Sequence, residues 1–152
     1  MPSYTWTGPD PIAPINTPLS EGESDLFGED IYFSDDFQET AGGDYVVTTG
    51  QETVRQAIYR RLLVRPGEFR VRPEYGVGVS LFVKKGVTQS TIDDLGQRIV
   101  EQLTQETRID RLVEVTVTKV TENSRPGVKI YIKAELQGRT RVFKPFTFVD
   151  TP

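Results

Sequence analysis

The sequence predicts an α+β domain: two helices packed on a small antiparallel sheet with a C-terminal three-stranded meander, preceded by an extended N-terminal arm. Three observations predict it. Apolar residues recur at three- and four-residue steps between Val54 and Leu103, the period changes to two after Leu112, and five prolines with few aliphatics fill the first two dozen residues. At 152 residues the chain suits one domain, able to bury roughly two thirds of its unfolded surface.

Residues 1–24 read as a flexible, acidic, Pro-rich arm. Pro2, Pro9, Pro11, Pro14 and Pro18 leave too little apolar surface to offset the entropy of ordering it. Tyr4 and Trp6 are the exceptions, either anchors for a neighbour's groove or side chains of a plain soluble tail. Residues 25–152 form the domain. Leu26, Ile31, Tyr32, Phe33, Phe37, Tyr45, Val46 and Val47 supply apolar groups without sustained period, as in a strap ending in a short strand. Thr49-Gly50-Gln51-Glu52 has the form of a capping box and opens a helix. Val54, Ala57, Ile58 and Leu62 make its apolar stripe, and Pro66 stops it.

The stretch from Arg65 to Gly78 concentrates two prolines, three glycines and three arginines, so it is a connector with a prescribed path, released by Gly76 and Gly78 into a strand at Val79–Val83. After Lys84-Lys85-Gly86 a second helix starts, capped near Ser90, with Ile92, Leu95, Gly96, Ile99 and Leu103 on one face. Glycine inside a helix costs about 1 kcal/mol against alanine, so close packing is expected at Gly96. Val113, Val115 and Val117, then Val128, Ile130, Ile132, Ala134 and Leu136, alternate with polar residues as half-buried strands. Residues 123–127 join the first pair and Gln137-Gly138 the second. The third strand runs through Val142, Phe146 and Phe148, and Pro145 makes it an edge or a bulged strand.

Charge is divided unevenly along the chain. Residues 1–50 carry ten acidic and no basic residues, net −10, and residues 51–152 are net +6, together the −4 of the whole. Such a split suits assembly through complementary surfaces, or simply a soluble tail. There is no Cys and no His, so thiolate and imidazole metal sites and the usual general base are excluded. No apolar run reaches the ~20 residues of a membrane helix and no signal-peptide pattern opens the chain, so a cytosolic origin is expected. No cofactor or metal is expected.

Chemistry would have to rest on carboxylates. Glu68 with Glu74, or Glu106 with Asp110, could act as acid and base of a glycosidase if held ~5 or ~6.5–9.5 Å apart. Twenty-two carboxylates guarantee such pairs by chance, and salt bridging to nearby arginines is the preferred account of them. Arg55, Arg60, Arg61, Arg65, Arg70 and Arg72 could bind phosphate, but the acidic arm opposes nucleic acid and favours arginines that meet carboxylates of a protein neighbour.

Residues 50–58, 62–68 and 72–78, with Arg65-Pro66-Gly67-Glu68 and Pro73-Glu74-Tyr75-Gly76 at their centre, resemble the baseplate wedge proteins of contractile-tailed phages and of type VI secretion and other contractile injection systems. The resemblance spans about Asp25 to Phe148 and, through relatives that carry a lysozyme label, leaves a carboxylate-dependent murein hydrolase as the alternative reading. It implies a non-enzymatic, structural subunit of a virion tail baseplate or related particle, assembled in the host cytoplasm with about six copies per particle. Its expected partners are other wedge subunits, the tail sheath, and tube or hub proteins, with no small-molecule substrate, direct nucleic-acid contact or membrane. The family's Glu-Pro-Arg signature stands here as Glu106-Thr107-Arg108. The resemblance therefore implies that Glu106, Arg108, Arg72, Glu74 and Tyr75 dock on the wedge core bundle, and that a sheath-facing edge strand is formed by Val142, Phe143, Lys144, Phe146 and Phe148.

Overall fold

A computed structural model of the chain describes residues 2–8, 30–31, 40–48 and 50–151. In chain order the elements are β1 (Ser3–Thr7), β2 (Asp30–Ile31), β3 (Val47–Thr48), α1 (Gln51–Leu63), α2 (Val79–Lys84), α3 (Gln89–Leu103), β4 (Arg111–Glu122), β5 (Arg125–Leu136), β6 (Arg139–Val142) and β7 (Phe146–Val149). They fall into two compact units, Met1–Ile15 with Arg60–Pro152, and Asn16–Tyr59, with α1 running across the boundary. The class is α+β, as predicted, with three helices instead of two.

In the smaller unit β2 pairs antiparallel with β3, Asp30 opposite Thr48 and Ile31 opposite Val47. The buried Gln56 side chain fastens this ribbon to the start of α1, its Nε2 donating to the Ile31 carbonyl at 2.5 Å. Thr48 Oγ1 lies 3.4 Å from Thr53 Oγ1 in the same turn of the helix. Most of the expected strap, with Leu26, Phe33 and Phe37, and the capping residue Thr49 lie outside the described residues. The apolar stripe of α1 is buried as its spacing requires: Val54, Ala57, Ile58 and Leu62 are all at or below 6% exposure.

The larger unit is a sheet in the order β1-β4-β5-β6, with β7 also on β5, all antiparallel. Helix α3 lies across β4 and β1, while α2 lies against β7, β5 and α3, so the core is a two-layer sandwich. Leu112, Val115 and Val117 from β4 meet Val128, Ile130, Ile132, Ala134 and Leu136 from β5 beneath Ile92, Leu95, Ile99 and Leu103. Leu112 replaces the expected Val113 as the first inward residue because the β4–β5 register slips between Leu112 and Glu114, which resets the alternation. The β4–β5 turn is also tighter than the five-residue loop expected. Asn123 and Ser124, both at positive φ, make it alone, and Pro126 and Gly127 already belong to β5.

Two further expectations change. Val79–Lys84 is helix, not strand: the β-branched residues suggest extension, but Val79 and Val83, four apart, share one buried face and leave Ser80 and Leu81 outward. Helix α3 is capped by Thr88, whose hydroxyl accepts from the Thr91 N–H at 3.2 Å, rather than near Ser90. The third strand of the meander is broken at Pro145 into β6 and β7, both on the same side of β5. Three residues, Phe143 to Pro145, face the two β5 residues Tyr131 and Ile132 across the break, a one-residue bulge. It turns Phe143 and Phe146 inward, at 1% and 2% exposure, and leaves Val142 half exposed, where the plain alternation expects Val142 inward.

The N-terminal segment forms a strand that the composition does not anticipate. Tyr4 and Trp6 of β1 stand opposite Val117 and Val115 on the helix side of the sheet. The tyrosine ring fills the notch at Gly96: a Cβ there would fall 2.0 Å from Tyr4 Cδ1. The close packing expected at Gly96 is thus present, supplied by the arm itself. Burial, then the Asp93 carboxylate, holds the Tyr4 phenol above its ordinary value of 10.0. At the sheet's opposite corner Arg111 and Glu135, directly cross-strand, form a two-pronged ion pair at 3.1 and 2.6 Å. The hydrogen bond from Arg111 holds the Glu135 carboxyl below its ordinary value of 4.5.

Two predictions follow the geometry. Gly96→Ala destabilises the wild-type chain, yet in a Tyr4→Ala background it stabilises by about the 1 kcal/mol of helix propensity, a reversal of sign read from urea midpoints. Because the folded Glu135 carboxyl titrates below its unfolded value, its contribution is full above pH 4.5 and fades as pH falls through the lowered folded value. The stability gap between wild type and Glu135→Gln is therefore constant from neutral pH down to about pH 4.5 and narrows below it, measured by denaturation at a series of pH values.

Candidate partner-docking site

The connector from Arg65 to Gly78 is fixed by its backbone. Helix α1 ends with its Arg61 carbonyl accepting from Val77 N–H at 2.9 Å, so the returning chain satisfies a helix-end acceptor that water would otherwise take. Gly67 N–H donates to the Pro73 carbonyl at 2.7 Å and closes the loop, and Arg65 N–H donates to Glu68 Oε2 at 2.9 Å. Gly76 has φ 100°, and a Cβ there would lie 2.3 Å from the Val64 carbonyl oxygen, so no other residue fits without moving α1.

Helix α3 holds this loop by two side chains. Gln102, fully buried, accepts from Gly76 N–H at 2.9 Å and donates to the Glu74 carbonyl at 3.0 Å, using both ends of its amide. Arg98 Nη2 donates to the carbonyls of Glu74 and Gly76 at 2.9 and 3.2 Å. A groove of about 490 Å³ runs beside the latch, apolar on the side of Pro66, Val77, Leu81 and Phe82 and polar on the side of Asp94, Gln97 and Glu101.

Beneath the loop lies a buried ion pair. Arg61 Nη2 donates to Glu106 Oε2 at 3.1 Å, with side-chain exposures of 7% and 8%. The guanidinium carbon sits 4.5 Å from the Tyr75 ring centroid, a cation–π contact, and Tyr75 in turn meets Phe69 at 5.5 Å between rings. Glu106 Oε1 also accepts from Arg108 N–H at 3.4 Å and faces Arg108 Nη1 at 3.6 Å. One carboxylate therefore joins the end of α1, the loop and the turn after α3.

The structure sorts the residues that the sequence singled out. Glu106 and Tyr75 come together around Arg61, and Glu106 is turned inward. Arg108 is partly exposed beside it, and Thr107, at the family's proline position, is exposed. Arg72 and Glu74 are exposed on the loop, and it is the Glu74 backbone, not its side chain, that is held. Phe143 and Phe146 face the core, while Val142 and Lys144 are exposed on the broken strand. Tyr4 and Trp6 are half buried against their own sheet. Of the carboxylates weighed for catalysis, Glu68 accepts from a backbone N–H, Glu106 is salt-bridged, and Asp110 Oδ2 accepts from Gly138 N–H at 3.2 Å. Arg98, Gln102, and the loop's outward Phe69 and Val71 escape the sequence reading, and Arg61, grouped there with arginines that meet a neighbour's carboxylates, is paired with Glu106 of its own chain. Only two carry a signal in the sequence: Arg61 continues the Val54, Ile58 stripe by three residues, and Gln102 interrupts the stripe that ends at Leu103.

Residues 48–141, well over half of the chain, match the family described as baseplate wedge protein gp25. This chain belongs to the baseplate wedge protein gp25 family. The match contains α1, the pinned loop and the Arg61–Glu106 pair, so the elements described above lie within the family's own region. The family is a structural component of baseplates. A solved structure with a similar fold is a chain of the anti-feeding prophage (AFP) baseplate, determined by cryo-EM with six-fold symmetrisation. It is 20% identical, with a TM-score of 0.53, over 87% of this chain and 93% of that one. No curated protein sequence matches the chain at a significant level.

The buried pair gives a test of the wedge protein's architecture. Arg61→Met leaves Glu106 buried with only the peripheral Arg108 and destabilises the protein by about 3 kcal/mol, while Arg61→Met with Glu106→Leu recovers most of that loss. Guanidinium denaturation of the three proteins measures both.

Proposed function

We propose that this chain is a wedge subunit in the baseplate of a contractile injection particle, a hetero-oligomeric assembly in which it plays a structural part. Two contacts carry that part. The loop from Gly67 to Tyr75, with Arg72, Glu74 and Tyr75, docks together with Arg108 on the helical core of neighbouring wedge subunits. The outermost described strand, β6–β7, receives the first ring of sheath by strand addition. Glu106 acts indirectly: through Arg61 and Arg108 it sets the position of the docking face.

The observation that carries this reading is the pinned loop within the family's matched region. Both neighbours of Tyr75 have their carbonyls held by α3, yet the loop presents Val71 at 94% exposure and Phe69 at 49%, flanked by Arg70 and Arg72. A rigid backbone that displays apolar groups between cations has its ordering cost met before any partner arrives, which favours binding. Strand addition is supported by family membership. Assembly in the host cytoplasm follows from the same reading.

Val71→Asp tests the docking face directly. At so exposed a position the change moves stability by less than about 0.5 kcal/mol. With Arg108→Ala it reduces incorporation into reconstituted wedges at least tenfold, measured by co-purification with the remaining wedge subunits. Normal incorporation of a folded double variant overturns the docking reading. A particle structure with no sheath strand beside residues 142–149 overturns the second contact.

A further inference from the structure

Among the described residues, the seat of β1 is built by distant parts of the chain. On one side β4 pairs with all five residues of β1, from Ser3 opposite Thr118 to Thr7 opposite Glu114. Backbone bonds close both ends, Lys119 N–H to the Pro2 carbonyl at 3.1 Å and Gly8 N–H to the Val113 carbonyl at 2.7 Å. On the other side α3 offers the Gly96 notch to the Tyr4 ring. Gln89, at the start of α3, reads the strand's backbone in both directions, donating to the Ser3 carbonyl at 2.9 Å and accepting from Ser3 N–H at 3.3 Å. Among the described residues the seat is formed by α3 and β4, both far from β1 in sequence.

The geometry points to a strand-acceptor site, made of the β4 edge and the Gly96 notch, whose occupant in trans is the Ser3–Thr7 segment of a second copy of this chain. Two observations favour that occupant. The notch is cut for an aromatic ring at the strand's second residue, and the two-way clasp of Gln89 fixes the residue before it, so the best-fitting strand is the chain's own. Residues 9–29 follow β1, and twenty-one residues of chain reach at most about 70 Å. An exchanged strand makes the same contacts as a resident one, so the balance is set by concentration: a tethered strand has an effective concentration of about a millimolar, and dilute chains keep their own. Wherever copies are held side by side, exchange links them. The inference is independent of the docking and sheath contacts proposed above.

Complementation of two full-length variants tests it, with Trp6, the sole tryptophan, as reporter. In the acceptor, Tyr4→Ala with Trp6→Ala weakens the resident strand and leaves the seat intact. In the donor, Gly96→Leu fills the notch and releases a native strand. Each alone is a monomer, and the donor's Trp6 is open to acrylamide. Mixed, they form a one-to-one complex of twice the mass by light scattering, and Trp6 becomes as shielded as in the wild type. Trp6 still open in mixtures up to about 1 mM overturns the proposal. If circular dichroism shows the donor unfolded, a peptide of residues 2–8 replaces it. A rise in the peptide's tryptophan anisotropy on titration with acceptor then supports the site, and none at millimolar acceptor overturns it.

Discussion

The Arg61–Glu106 pair is the constraint on which the arrangement of the larger unit turns. An arginine and a glutamate below a tenth exposure are costly to desolvate, and their attraction offsets that cost only in a narrow range of distances and angles. The end of α1 and the turn after α3 must therefore meet in one way. Tyr75, lying over the guanidinium, extends the same condition to the loop, and Gln102 and Arg98 add backbone bonds that hold it. Arg61 Nε is itself buried with no hydrogen-bond partner among the described residues, so the pair contributes definition of geometry more than surplus stability.

How much of this could be read beforehand depended on where the deciding force acts. The α1 and α3 stripes and the β4 and β5 alternation express burial on one face, which period reveals directly, and they emerged nearly as expected. Segment 79–83 went astray because a six-residue helix is decided by what it packs against, and β-branched residues carry no helical signal of their own. The strand at Ser3–Thr7 was hidden by the prolines around it. Its folding depends on a notch formed ninety residues later, at Gly96, and the lone glycine in that helix was the only trace.

The site was legible in outline, while its inner contacts were not. Arg65 to Gly78 announces a prescribed path through its prolines and glycines, and the family's signature residues locate the turn at Glu106. That Glu106 faces inward is a matter of tertiary contact, since Arg61 looks like one more surface arginine among six. Exposure of Phe69 and Val71 is equally invisible in sequence, because a short apolar pair in a loop reads as core as readily as surface.

The break at Pro145 has a bearing on any strand that lies along β6 and β7. Residues before the break pair with β5 in one register and those after it are offset by one residue. A straight strand cannot follow both halves in phase. It must match one half only, or carry an extra residue of its own opposite the break. The bulge thus acts as a length code written in the backbone, which discriminates between neighbouring strands by spacing, whatever their side chains.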